Sequence, residues 1–262
     1  MRCDSRGIAW AGIRILFVWA SLMAIPVWPV GPALAVPSET HEEKEANLQK
    51  QAKGGLFNKW TFDKEVVNNV PAGFATLSLG DSGEAVWRVE TDAGAPTAPN
   101  VLAVTAACDP SGCFQLLVAQ GLEYEYPDLS VRFRTGNDPS GIGGLVLGVK
   151  DGRNFYAALV EPATARAQVV RVLDGAVTVL GQMPITLKPI EWHSLRVQRN
   201  TIVSKDFIEA FVDGVLVLSV EDQTLGTGQV GMVAQGKTAW FFDTFHAVPL
   251  FSHRPLSAPA AY

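Results

Sequence analysis

The side chains that could act on a substrate are few in this chain, and most fail on spacing. Glycoside hydrolysis needs two carboxylates roughly 5–10 Å apart across the scissile bond. The nearest candidate is Glu123-Tyr124-Glu125-Tyr126-Pro127-Asp128. Pro127 falls inside it, and a proline interrupts a strand ladder, so the stretch reads as a polar loop entering a strand. His193 precedes Ser194, but neighbours on a strand point to opposite faces and cannot form a Ser–His pair. His246 and His253 stand alone, and His41 beside Glu42 and Glu43 reads as solubility. No P-loop, dinucleotide fingerprint, H-E-x-x-H or EF-hand string occurs. Gly141-Ile142-Gly143-Gly144 leads into a strand, so it cannot present a helix N-terminus to phosphate. No catalytic residue, metal site or cofactor is therefore expected. What remains is recognition chemistry. Sugar sites combine an aromatic face with amide and charged groups, and Asn154, Tyr156, Arg132 and Arg134 offer those groups. Tyr156 is either an exposed ring for a ligand or part of the core.

The elements that must position these residues are strands. Asp128 to Thr135 alternates Leu129, Val131 and Phe133 with Ser130, Arg132 and Arg134, the pattern of a half-buried strand. Asp151-Gly152-Arg153, Asp174-Gly175 and Asp213-Gly214 each separate two strand-like runs. Asp-Gly supplies the positive φ angles of a two-residue hairpin turn. Gly231 marks close packing or a bulge. Strict alternation near the C-terminus puts Phe241, Asp243 and Phe245 on one face and Trp240, Phe242 and Thr244 on the other. Asp243 among aromatics reads as a buried carboxylate bonded to a loop or as a member of a site. With about a dozen strands, turn signals every 8–12 residues and no convincing helix, the pattern predicts an all-β antiparallel sandwich.

Cys108 and Cys113 enclose Asp109-Pro110-Ser111-Gly112, good type I turn chemistry, between apolar runs at 101–104 and 114–118. This reads as a hairpin stapled by a disulfide. C-x4-C also fits half a zinc site, but no second Cys/His pair with zinc-like spacing follows.

Several motifs occur in an order that resembles the concanavalin A-like jelly rolls, in particular the laminin G-like and 3-keto-disaccharide-hydrolase-type members. Trp192-His193-Ser194-Leu195-Arg196-Val197 is similar to their W-H-x-L-R-V strand, and Phe211-Val212-Asp213-Gly214 to V-x-x-D-G. Glu221-Asp222-Gln223-Thr224 with Gly228-Gln229-Val230-Gly231 is similar to D-x-T…G-x-V-G. Trp240 to Phe245 resembles the closing F-D-x-F strand, and Asp151 to Tyr156 resembles D-x-x-N-Y-Y. Trp192 is expected to start its strand and plug one end of the sandwich. The resemblance spans about residues 57–248. It implies a jelly roll and leaves room for a structural calcium, although no motif for one is present. Function does not follow, because the superfamily holds lectins, adhesion modules, glycosidases and lyases. Its laminarinase-type glycosidases carry E-x-D-x-x-E or E-x-D-x-E on one strand, and neither string occurs here. Ala157-Ala158-Leu159-Val160 also stands where relatives often carry polar groups.

Residues 1–35 read as a signal peptide: Arg2, Arg6 and Arg14, an uncharged run from Ile15 to Val30, then Ala33-Leu34-Ala35. A retained anchor is the alternative, but 16 residues with Pro26 and Pro29 are short for a membrane span. The remainder divides into a polar arm at 36–55, a sandwich domain at 56–249 and a tail at 250–262. The whole chain carries a net charge of −5. Removing three Arg and one Asp with the leader leaves 18 basic and 25 acidic residues, a net charge near −7. That disfavours nucleic acid and anionic membrane as partners. The expected protein is exported to the periplasm, cell surface or medium. It binds carbohydrate or another envelope polymer without catalysis. A glycoside hydrolase and an envelope interaction module are the alternatives.

Overall fold

The computed structural model describes residues 40, 46, 52–54, 57–80, 86–105, 112–188 and 190–250 of the 262. The leader at 1–35, most of the 36–55 arm, Cys108 and the tail beyond Leu250 lie outside them. Residues 1–38 and 39–262 separate as two units, and every described residue belongs to the second.

The first eight strands are β1 (Ala52–Lys53), β2 (Asn58–Trp60), β3 (Phe74–Leu79), β4 (Val86–Thr91), β5 (Asn100–Thr105), β6 (Phe114–Tyr124), β7 (Pro127–Thr135) and β8 (Ile142–Asp151). The others are β9 (Asn154–Glu161), β10 (Arg166–Leu173), β11 (Ala176–Pro184), β12 (His193–Ile202), β13 (Lys205–Val212), β14 (Val215–Glu221), β15 (Gly228–Gln235) and β16 (Ala239–Pro249). They form two antiparallel eight-stranded sheets. Sheet A runs β1-β6-β15-β8-β9-β10-β11, with β3 also on β6. Sheet B runs β14-β13-β12-β7-β16-β5-β4, with β2 also on β16. The fold is the expected jelly-roll sandwich. Strand β1 falls within the span read as a polar arm and pairs with the end of β6.

The Asp-Gly turns sit where their chemistry puts them. Asp174 and Gly175 have φ of 52° and 84°, and Asp213 and Gly214 have 48° and 79°. A further two-residue turn joins β12 to β13 through Val203 and Ser204, with φ of 47° and 66°. Gly231 lies where β15 shifts register against both neighbours. A Cβ there would fall 2.0 Å from the Leu117 carbonyl oxygen, so only glycine fits.

One apolar cluster fills the space between the sheets. Leu117, Leu145, Tyr156 and Met232 of sheet A meet Val131, Phe133, Leu195, Trp240 and Phe242 of sheet B. Each large side chain buried this way contributes about 1.5–3 kcal/mol of transfer free energy. The outer faces of the two sheets differ. On sheet A a second buried apolar cluster holds Leu116, Val146, Phe155, Leu159, Val170 and Val233. Strands β8 and β9 are therefore apolar on both faces, as their unbroken runs at 144–149 and 155–160 suggest. On sheet B, β7 alternates strictly between buried and partly exposed residues.

Two expectations are corrected. The runs flanking the cysteines are not a hairpin. Strand β5 pairs with β4 and β16 in sheet B, whereas β6 pairs with β1, β3 and β15 in sheet A. The chain crosses between sheets there. Both strands carry apolar residues on both faces, so their pattern reports burial but not the partner. The second correction concerns β16. Its register against β7 shifts between Asp243 and His246, and Thr244 takes φ of 53°. This bulge breaks the alternation and returns Phe245 to the core, stacked on Trp60.

Candidate functional site

The outer face of sheet B, at the end where β12 begins, gathers the richest set of recognition groups. Alternation along β7 puts Arg132 and Arg134 on this face. The Arg134 guanidinium lies 5.1 Å from the Trp192 ring centre and 4.9 Å from that of Phe241. It also donates to Asp92 Oδ2 at 2.7 Å. Cation–π stacking and the ion pair together fix its plane. The Trp192 indole N–H donates to the Gly94 carbonyl at 3.0 Å, and Arg132 donates to the Trp192 carbonyl at 3.1 Å. Trp192 is half-buried and precedes the strand, which starts at His193. It covers the face rather than plugging the end of the core.

The loop after β4 completes the site and is anchored from behind. Asp243 is fully buried on β16. Its carboxylate accepts from Thr97 N at 2.7 Å, Thr97 Oγ1 at 2.6 Å and Thr244 N at 2.6 Å. The bulge at Thr244 is what turns this carboxylate toward the loop. Asp92 Oδ1 accepts from Gly94 N at 2.8 Å, closing the turn that carries the Trp192 acceptor.

His193 lies just inside the same end. Its Nδ1 is 2.7 Å from Asp213 Oδ2 and its Nε2 is 2.9 Å from the Lys188 carbonyl. Ser194 N donates to the other Asp213 oxygen at 2.8 Å. Burial pushes the Asp213 carboxyl up, but the Ser194 N–H, His193 and Arg132 outweigh it and hold it below its ordinary range. Beside His193 a cavity of about 180 Å³ is lined by Phe133, Thr135, Pro139, Ala163 and Leu187.

The structure does not bring the four predicted ligand-binding residues together. Arg132 and Arg134 share the sheet B face. Asn154 and Tyr156 belong to sheet A. Asn154 donates to Asp151 and accepts from Asp174 N at 2.9 Å, tying two hairpin turns together. Tyr156 is fully buried between the sheets. Its hydroxyl donates to Asp222 Oδ1 at 2.5 Å and accepts from Leu225 N at 2.9 Å. Its ring therefore offers no face to a ligand. Phe241 and Asp92 were missed. Phe241 had a signal, since it alternates outward between Trp240 and Phe242.

Among the described residues no group of three or more His, Cys, Asp or Glu side chains converges on a metal position. Where loop carbonyls do converge, at Leu225 and Gly226, the guanidinium of Arg199 binds them together with Asp206.

The architecture is that of the concanavalin A-like jelly rolls. No family model and no curated protein matches the chain. Solved structures do. Carbohydrate-binding module CBM66 from Bacillus subtilis superposes with a TM-score of 0.51 at 14% identity, covering 69% of this chain and 97% of that one. A galectin-like-fold protein of unknown function from Bacillus subtilis gives 0.53 at 9% identity, covering 77% and 99%. A GH43 protein from Bacillus licheniformis gives 0.50 at 14% identity, covering 74% of this chain and 39% of that one.

Proposed function

We propose that this protein is exported and binds a saccharide or similar surface polymer without cleaving it, through the sheet B face around Trp192 and Arg134. One observation carries the reading: a partly exposed aromatic–guanidinium stack stands among carboxylates that are already bonded. Asp92 is held by Arg134, Asp213 by His193 and Ser194, and Asp243 by Thr97 and Thr244. Glycoside hydrolysis needs one carboxyl to keep a proton and the other to face the sugar. Recognition needs only ring faces and donors. The likeness to CBM66 and to a galectin-like fold supports the same reading. The adjoining cavity of about 180 Å³ is smaller than the roughly 300 Å³ or more typical of drug-sized ligand sites. It suits a single ring at the end of a chain.

The test is a glycan array on the mature protein followed by titration of the best ligand. Trp192→Ala is expected to weaken binding about tenfold or more; it also removes a hydrogen bond and a ring contact, so it should lower the melting temperature while the protein stays folded at the temperature of the titration. Release of reducing ends from the bound glycan, or an array without any hit, would overturn the reading.

A further inference from the structure

The segment that follows β11 is pinned at one point and strained at another. Ile185 N donates to the Ala165 carbonyl at 2.8 Å. Beyond it Thr186 and Lys188 are exposed and Leu187 is half-buried. Leu187 and Lys188, with Glu191, form one wall of the cavity of about 180 Å³. Among the described residues, one hydrogen bond ties this wall to the sandwich: the 2.9 Å contact between His193 Nε2 and the Lys188 carbonyl. The Lys188–Glu191 ion pair, at 3.4 Å, stays within the wall. Ile190 takes φ of 65° and is 51% exposed. A β-branched side chain avoids that conformation, and such strain persists only where surrounding contacts enforce it.

The enforcing contact depends on a proton. Both ring nitrogens of His193 face acceptors: Nδ1 meets Asp213 Oδ2 and Nε2 meets the Lys188 carbonyl. A neutral imidazole has a single N–H and an imidazolium has one on each nitrogen, so only the charged ring bonds both. When a proton leaves, the remaining N–H is held by the carboxylate, the stronger acceptor. A lone pair is then left facing the Lys188 carbonyl. We infer that His193 is a proton-operated latch: as imidazolium it keeps the 186–188 wall in place against the strain at Ile190, and on losing a proton it releases that wall and widens the cavity. The latch is fastened at low pH and released as pH rises. The charges around the ring set its balance. Asp213, in the turn after β13, favours the charged ring. Arg132 on β7, which bonds the Trp192 carbonyl, opposes it. Lys188 and Glu191 offset each other on the wall. Phe133 lies 5.7 Å from the ring, centre to centre, and Pro139, Pro162, Ala163 and Ala165 bring no charge to the cavity. Asp138, next to Pro139, is exposed and bonded to the Ser140 N–H at 2.9 Å.

The experiment has two arms, both run from mildly acid to mildly alkaline pH. Nitrogen NMR of the His193 ring counts its N–H groups. Alkylation of Leu187→Cys, followed peptide by peptide, reports how far the wall has opened. Each rate is divided by that of Val203→Cys, whose position is 91% exposed, so that the titration of the thiol itself cancels. The ring is expected to carry an N–H on both nitrogens at acid pH and on one at alkaline pH, with the alkylation ratio rising about tenfold over the same interval. His193→Gln cannot carry the charge and should flatten the ratio. Ile190→Asn tolerates positive φ and should shrink the rise. The ring arm stands even if His193→Gln fails to fold. A ring with a single N–H at acid pH overturns the inference. So does a ratio that stays flat while the ring loses its proton, or a rise that His193→Gln or Ile190→Asn leaves intact.

Discussion

Tyr156 shows how a side chain suited to ligand chemistry can serve architecture. Its hydroxyl bridges Asp222 and the Leu225 N–H, and Arg171 bonds the other Asp222 oxygen at 2.6 Å. Burial, then the hydrogen bond to Asp222, pushes the phenol from 10.0 up to about 12. Ionisation is thus disfavoured in the folded state. The stability from this bond is fully present below pH 10 and is lost as pH rises toward and through about 12. Tyr156→Phe leaves a buried N–H and a carboxylate short of a partner. It should cost about 1–3 kcal/mol, or roughly 2–4 °C of melting temperature per kcal/mol for a domain of this size. Melting curves from neutral to strongly alkaline pH check both points: the variant should start lower and fall less steeply. The position was not legible from local pattern, because Ala157 to Val160 is apolar on both faces and alternation cannot say which side of β9 is inside. Arg132 and Arg134 were legible because their strand has one polar face.

At the scale of the strand and its turn, chemistry was readable where it followed propensity. The Asp-Gly hairpins and the Gly231 bulge fall where those residues allow positive φ or close approach. Two features resisted. The β16 bulge rests on Thr244 at positive φ, a residue that gives no warning of it. The β12–β13 turn rests on Val203, which is 91% exposed and β-branched in a conformation such residues avoid. Because it packs on nothing, replacing Val203-Ser204 with Asn-Gly relieves strain and loses no contact. That change should stabilise the protein by about 1 kcal/mol or more, measured by urea unfolding. Unchanged or lower stability would mean that the valine makes a contribution the turn geometry does not explain.

For the whole molecule, the order of short motifs was enough to reach the jelly roll, while strand partnership at the sheet crossing was not. Intact mass of the exported protein should correspond to a chain beginning at Val36. It should be lighter by two hydrogens than the reduced form, with no thiol titratable before reduction. A mass retaining Met1, or two reactive thiols, would refute export processing or the Cys108–Cys113 bond respectively. At the same scale, the two sheets differ in how freely their sequences can drift. Nearly every position along β8 and β9 meets apolar neighbours, so a polar replacement at almost any of them costs burial. Every second position of β7 and β12 faces outward, where a replacement costs little burial. Descendants of this protein can therefore vary the outer face of sheet B while sheet A stays nearly constant, and divergence among them should concentrate on one side of the sandwich.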